Sequence, residues 1–208
     1  MFMSNTADYC LQIVNQLYEK INGFDISVKD RGKLALVDSS LTYGELTTRS
    51  FKEILEVVNP NPSEVFYDLG SGAGKPVLWA SVLYDWSKCC GIELLSGLYD
   101  LSIEQSQKMT AHPEIKELLP NRKLNIQFIN KSFLEVDFSD AKVILLNATA
   151  FSYDLWQSLL TQFLTLPKDV HIITMTKKIN ADEFELIHSG SYLMSWGMNS
   201  VNIYKKVK

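Results

Sequence analysis

Histidine and cysteine are scarce, with three of each in 208 residues. His112, His171 and His188 fall into no ligand spacing, and Cys10, Cys89 and Cys90 are odd in number and lack zinc-type spacing. No metal is therefore assigned and no disulfide framework is indicated, which points to a reducing compartment. Charge of one sign is lacking as well. The 24 acidic and 20 basic residues leave no broad basic face for sequence-independent binding to nucleic acid. Lys205, Lys206 and Lys208 read as a solvated end. No apolar run approaches the length of a membrane span, and the first residues carry no basic stretch followed by an apolar one. These absences lead to the expectation of a cytoplasmic protein with no membrane partner and no broad nucleic-acid surface.

What is present is core material. Apolar residues make up 46% of the chain, enough for one domain with a sizeable core. The stretch with most information is Val65-Phe66-Tyr67-Asp68-Leu69-Gly70-Ser71-Gly72-Ala73-Gly74-Lys75-Pro76. Its apolar run predicts a buried strand with Asp68 near the carboxyl end. Gly70, Gly72 and Gly74 allow a turn through positive φ and a close approach to a ligand. Pro76 suits a first helical turn, and Val77–Leu83 supplies the helix. A turn of this kind aims backbone N–H groups and the positive end of a helix at whatever binds there.

Spacing narrows the ligand. A phosphate-binding P-loop needs four residues between its first glycine and Gly-Lys, followed by Ser or Thr. Here three residues separate Gly70 from Gly74, and Pro76 takes the hydroxyl position. The dinucleotide fingerprint wants its third glycine where Lys75 stands. The remaining pattern, Asp-x-Gly-x-Gly-x-Gly, resembles the first motif of class I S-adenosylmethionine-dependent methyltransferases. Lys88–Glu93 predicts the next strand, and Glu93 lies about 20 residues beyond the glycines, where a carboxylate accepts hydrogen bonds from ribose hydroxyls.

Around this centre, strands and helices alternate. Helical spacing of Leu11, Val14, Leu17, Tyr18 and Ile21 predicts an N-terminal amphipathic helix. Residues Ile26–Ser40 suggest a lid or a short helical piece. A further helix carries Phe51, Ile54, Leu55 and Val58 on one face and stops at Asn59-Pro60-Asn61-Pro62. Residues 1–60 are thus expected to form a helical cap on a core of residues 61–208. Beyond Glu93, a helix is predicted over Leu94–Met109, strands over Leu124–Ile129, Lys142–Asn147 and Val170–Thr176, and a helix around Trp156, Leu159, Leu160 and Phe163. Ser191–Trp196 and Ser200–Lys206 predict a closing hairpin with its turn at Gly197-Met198-Asn199. The whole predicts an α/β, Rossmann-like, mostly parallel seven-stranded sheet with a C-terminal antiparallel hairpin. Asp68, Glu93, Ser132-Phe133 and Asn147 then fall at strand carboxyl ends, where such sheets bind ligands. Phe133 is placed to stack on adenine and Ser132 to hydrogen-bond its edge.

An ordered set of segments now sharpens the likeness. Thr42-Tyr43-Gly44-Glu45, the glycine motif, Gly91-Ile92-Glu93, Ser132-Phe133-Leu134, Asn147-Ala148-Thr149-Ala150-Phe151 and Ser195-Trp196 follow one another. Together they resemble the non-SET histone-lysine methyltransferases of the disruptor-of-telomeric-silencing family. The resemblance implies that S-adenosyl-L-methionine is the cofactor and a protein or peptide lysine the acceptor. It gives Tyr43 and Glu45 a part in holding the methionine end. It places Asn147 at the reaction centre, Phe151 by the substrate channel and Trp196 in its wall. Asp68, Gly70, Ser71, Gly72, Gly74, Lys75, Glu93, Ser132, Phe133 and Asn147 complete the expected cofactor site, with Asn147, Tyr43 and Phe151 as catalytic candidates. Several positions depart from the family. Asn-Asn-Phe-Ala-Phe becomes Asn147-Ala148-Thr149-Ala150-Phe151, Ser132 replaces an aspartate, Lys75 a glutamine, and Ile203 a tyrosine. Lys75 can still pair with the cofactor carboxylate. A small-molecule N- or O-methyltransferase and a non-catalytic adenosylmethionine-binding protein are the competing readings.

Overall fold

The computed structural model describes residues 2–33 and 41–208. Its centre is a seven-stranded sheet in the order β3-β2-β1-β4-β5-β7-β6. The strands are β1 (Val65–Leu69), β2 (Lys88–Ile92), β3 (Ile126–Ile129), β4 (Val143–Leu146), β5 (His171–Met175), β6 (Phe184–Met194) and β7 (Gly197–Lys206). The first five run parallel, and β7 inserts antiparallel between β5 and β6. β1, β2, β4 and β5 are almost wholly buried, as mainly apolar strands in a sheet covered on both faces should be.

Alternate strand residues feed two cores. Phe66, Cys89, Leu145 and Ile173 face the larger one, shared with α1 (Phe2–Gln16), α3 (Thr48–Val58), α4 (Lys75–Leu83), α5 (Ser96–Ala111) and α6 (Pro113–Leu118). Tyr67, Cys90, Ile144 and Ile172 face the other, where Trp156, Leu159 and Phe163 of α7 (Tyr153–Thr165) pack. The N-terminal helices thus share a core with the strands. Cys10, Leu11 and Val14 of α1 and Phe51, Ile54 and Leu55 of α3 are buried in it.

Local chemistry sets the ends of α3. The Thr47 side chain accepts from the Ser50 N–H, and Asn59 closes the helix in the left-handed region at φ 48°. The expected lid or helical piece, Ile26–Ser40, begins inside a helix, α2 (Gly23–Lys33). The remainder of the expected lid, residues 34–40, lies outside the described residues.

The hairpin departs from expectation. Its turn is Ser195-Trp196, with Met194 paired to Gly197, and β6 begins at Phe184. Gly197, at φ 127°, opens β7 instead of forming the turn. The reason is tertiary: the Ser195 N–H donates to the Glu45 carbonyl at 2.9 Å, and Leu46 bridges to Met194, so the loop at residues 43–46 fixes the hairpin tip. The helix expected from Leu94 starts at Ser96, because the Leu95 N–H is held by Glu93 Oε1 at 2.8 Å.

From β1 the chain steps to β2 and β3 on one side, then crosses to β4 and β5 on the other. The reversal opens a crevice at the carboxyl ends of β1 and β4.

Candidate active site

A cleft of about 260 Å³ occupies that crevice. Its floor is the turn after β1, where Gly70 (φ 82°) and Gly72 (φ 53°) adopt the positive φ their lack of Cβ permits. The Gly70 and Ser71 N–H groups donate to the Ile92 carbonyl at 2.8 and 3.0 Å, tying the turn to β2. At Gly72 a Cβ would lie 2.6 Å from the Tyr43 ring, so glycine lets that ring close over the turn.

Two buried carboxyl groups stand on this floor. Glu93 Oε2 accepts from the Gly72 N–H at 2.7 Å and Oε1 from the Leu95 N–H, holding the glycine turn and the start of α5 together. Burial raises the Glu93 pKa, and the backbone N–H groups oppose the rise. Asp68 is pushed up to about 8, first by burial and then by the nearby charge of Glu93. An acidic, desolvated pair of this kind favours a positively charged guest.

The loop before α3 forms the opposite wall. Tyr43 Oη donates to Glu45 Oε1. The Lys75 ammonium lies 2.6 Å from Glu45 Oε2 and 5.0 Å from the Tyr18 ring centroid. Tyr18 donates to the Ala73 carbonyl at 2.8 Å, so the turn that follows α1 also braces the glycine turn. From behind, the Glu45 N–H donates to Ser195 Oγ at 3.1 Å, and Trp196 packs on Gly44, where a Cβ would sit 2.3 Å from the indole.

The third side comes from the ends of β3 and β4. Ser132 caps a short 3-10 turn at Phe133–Glu135, its hydroxyl accepting from the Leu134 N–H. Phe133 stacks on Phe151, with ring centroids 5.6 Å apart and planes 25° from parallel. Asn147 Oδ1 accepts from Thr149 Oγ1 at 2.8 Å, while Asn147 Nδ2 points to the Gly44 carbonyl at 3.5 Å. Thr149 Oγ1 also accepts from Asn199 Nδ2 at 2.9 Å, and Asn199 Oδ1 accepts from Thr176 Oγ1 at 2.9 Å. A polar network therefore fixes which way the Asn147 amide faces.

Tyr43, Glu45, Asp68, Gly70, Ser71, Gly72, Lys75, Glu93, Ser132, Phe133, Asn147 and Phe151 all line this one cleft. Gly74 does not. A Cβ there would meet Phe128 and Ser102, so this glycine serves the packing of α4 on α5 and β3. Trp196 supports the loop from outside the cleft and is 44% exposed. Sequence reasoning missed Ser27 from α2, Trp79 and Lys131, which also line the cleft. None sits in a recognisable motif, so only the chain's path could reveal them.

With this geometry in view, comparison with known proteins is direct. A profile of the family described as "Histone methylation protein DOT1" matches residues 32–204. Among curated relatives, the H3 lysine-79 specific histone-lysine N-methyltransferase of Candida albicans is 29% identical over 143 residues, which is 67% of this chain and 10% of that protein. The Yarrowia lipolytica protein of the same name is 28% identical over 174 residues, 81% of this chain and 34% of that one. The chain thus spans about a tenth of the first relative's length and about a third of the second's. Among solved structures, an RNA methyltransferase from Salinibacter ruber in complex with S-adenosyl-L-homocysteine superposes with TM-score 0.59. It has 18% identity, and the match covers 78% of this chain and 93% of that one. TrmN from Thermus thermophilus gives TM-score 0.56 at 18% identity, over 86% of this chain and 53% of that one. At such identities the structural matches speak for the fold, a Rossmann-like methyltransferase sheet.

Proposed function

We propose, for a chain that belongs to the DOT1 histone methylation family, that it moves a methyl group from S-adenosyl-L-methionine to the amine of a protein lysine. The observation that carries this reading is the convergence of the Tyr43–Glu45 loop, the glycine turn, Glu93 and Asn147 on one cleft.

The residues present fit the cofactor. Glu93, at the end of β2, offers carboxylate lone pairs to ribose hydroxyls beyond those its two backbone donors use. Phe133, stacked on Phe151, offers an aromatic face for adenine. Glu45 and Lys75 carry the two charges that complement an amino-acid end. Ser71 Oγ is buried without a hydrogen-bond partner among the described residues. When bound, the cofactor supplies an electrophilic methyl on a sulfonium, with a neutral thioether as leaving group.

The chain's own task is then position and dryness. An in-line approach at about 3 Å requires that acceptor and methyl be held together, and walls fixed on both sides provide that constraint. Asn147 cannot turn freely, since Thr149 holds its oxygen. Tyr43 and Phe151 exclude water around an entering amine. Desolvation disfavours the ammonium form of lysine and so helps release the proton that the nucleophile must lose. Glu45 is engaged by Tyr43 and Lys75, and Glu93 by backbone N–H groups, so neither is cast as a general base. No helix among the described residues is long and apolar enough to cross a membrane. Cys10, Cys89 and Cys90 are free and buried, and a reducing compartment belongs to the same proposal.

One observation favours a second reading, a small-molecule acceptor. Beside Asn147 stands the hydroxyl and amide cluster of Thr149, Thr176 and Asn199, where the family motif carries an aromatic side chain. Polar groups next to Asn147 suit an acceptor that brings hydrogen-bonding groups. Purified histones and a cell lysate, each treated with the protein and heavy-methyl cofactor, decide between them by mass spectrometry. Label on lysine ε-nitrogen supports the first reading. Label confined to small molecules overturns it.

A further inference from the structure

Helix α2 buries Gly23, Ser27 and Asp30, spaced four and three residues apart along one face. An inward stripe usually carries large apolar side chains, because burying them is what stabilises a short helix. None of the three is a large apolar residue, and the neighbouring Ile26, partly buried against the core, is the helix's apolar anchor. Two of its members have evident partners. At Gly23 a Cβ would lie 2.5 Å from the Tyr43 hydroxyl, so glycine lets α2 rest against the tyrosine that walls the cleft. Asp30, 3% exposed, accepts from the Gly97 N–H in the first turn of α5 and pairs with Lys33 at 2.8 Å. It is placed where an anion is favoured by the helix end.

Ser27 lies between them and is different. It is fully buried, it lines the cleft, and its hydroxyl has no hydrogen-bond partner among the described residues. A buried hydroxyl left unpaired is costly and rare in native proteins. Its neighbours on the helix bracket the cleft, with Tyr43 on one side and the start of α5, two residues past Glu93's partner Leu95, on the other. Ser27 also precedes residue 32, where the match to the family begins, so the family pattern says nothing about it.

We infer that Ser27 is a cofactor-binding residue, its hydroxyl completing its hydrogen bonding on a polar group of the adenosyl amino acid once that ligand occupies the cleft. The inference rests on the proposed cofactor reading. It gives α2 a role besides packing, since the helix carries a ligand contact between Gly23, set against Tyr43, and Asp30, bonded to the Gly97 N–H.

The test separates ligand contact from wall packing by sign. S-adenosyl-L-homocysteine binding is measured by calorimetry, and the melting temperature of the free protein is measured alongside, for the wild type and Ser27→Ala. Removing an orphan hydroxyl should leave the free protein equally or more heat-stable, while the ligand's Kd weakens about five- to tenfold, the loss expected for one hydrogen bond. Ser27→Cys, which keeps nearly the same volume and donates poorly, should weaken binding similarly; it decides the question if the alanine variant loses its melting transition. Unchanged Kd in both variants overturns the inference while the cofactor reading stands. A wild-type protein that shows no binding of S-adenosyl-L-homocysteine overturns both.

Discussion

Lys75 Nζ lies 2.6 Å from Glu45 Oε2, joining the first turn of α4 to the loop that walls the cleft. The pair is partly buried, with 19% and 25% of the two side chains exposed, and the Tyr18 ring lies beneath the ammonium. Each charge is the other's partner. An amino-acid zwitterion entering the cleft carries the same two charges in complementary order.

Lys75→Met should therefore discriminate ligands by their tails. S-adenosyl-L-homocysteine has the carboxylate and should bind about tenfold more weakly, the scale of one charge-assisted hydrogen bond. Methylthioadenosine lacks the amino-acid end and should bind the variant and the wild type alike. Calorimetry with both nucleosides checks this, and equal losses for the two would assign Lys75 to loop structure instead.

Asp68 makes stability fall with pH. Its carboxyl is displaced from 3.8 to about 8 by burial and by Glu93. The native state thus keeps a proton that the unfolded chain releases, and the stabilisation is complete below about pH 4. It declines through the window up to about pH 8 and is gone above it. Melting temperatures between pH 5 and 8.5 should drop more steeply for the wild type than for Asp68→Asn. A cationic ligand favours the ionised carboxylate, so binding near pH 7 should release protons, seen as a dependence of binding heat on the buffer's ionisation enthalpy.

Gly44 and Trp196 form a contact that tolerates no extra atom. A Cβ at residue 44 would sit 2.3 Å from the indole. Gly44→Ala should cost about 1–3 kcal/mol through overpacking and loosen the Tyr43–Glu45 loop, weakening cofactor affinity. Adding Trp196→Ala should recover most of that affinity, since Trp196 does not itself line the cleft. A double variant as weak as the single one would mean that the residue 44 backbone, not the clash, sets the loop.

Thr149 orients Asn147 through the 2.8 Å bond from its hydroxyl. Thr149→Val keeps the shape and removes the hydroxyl donor, leaving the longer bond from the Thr149 N–H at 3.3 Å. Turnover of whichever acceptor is methylated should fall about tenfold, the effect of one misplaced polar group at a reacting centre, with S-adenosyl-L-homocysteine affinity within about twofold of wild type. Thr149→Ser should restore turnover. Asn147→Ala should lower turnover further while binding persists.

Much of the fold is legible in the sequence because its signals are local. Val65–Leu69 is an apolar run, broken by Asp68, that ends at glycines, and such a run has few conformations other than a buried strand before a turn. Phe51, Ile54, Leu55 and Val58 repeat at helical spacing, and all four are buried in the same core. The hairpin tip is less local. Gly197-Met198-Asn199 has turn chemistry, yet Ser195-Trp196 forms the turn because the Glu45 backbone, 150 residues away in sequence, bonds to Ser195. Gly74 shows the same limit, since the motif marks three glycines alike, and only the packing of Phe128 and Ser102 separates the third from the two that floor the cleft.

The order and type of residues alone determined a parallel α/β sheet, a glycine turn with acidic groups after two strands, and a polar end to β4. These follow from periodicity and backbone freedom, which each short segment carries within itself. Tertiary structure decided that α2 closes one side of the cleft with Ser27, that Lys75 spends its charge on Glu45, and that Phe133 and Phe151 lie face to face. Each of those facts depends on which distant segments meet, and a contact across the fold leaves no period or spacing in the chain to be read.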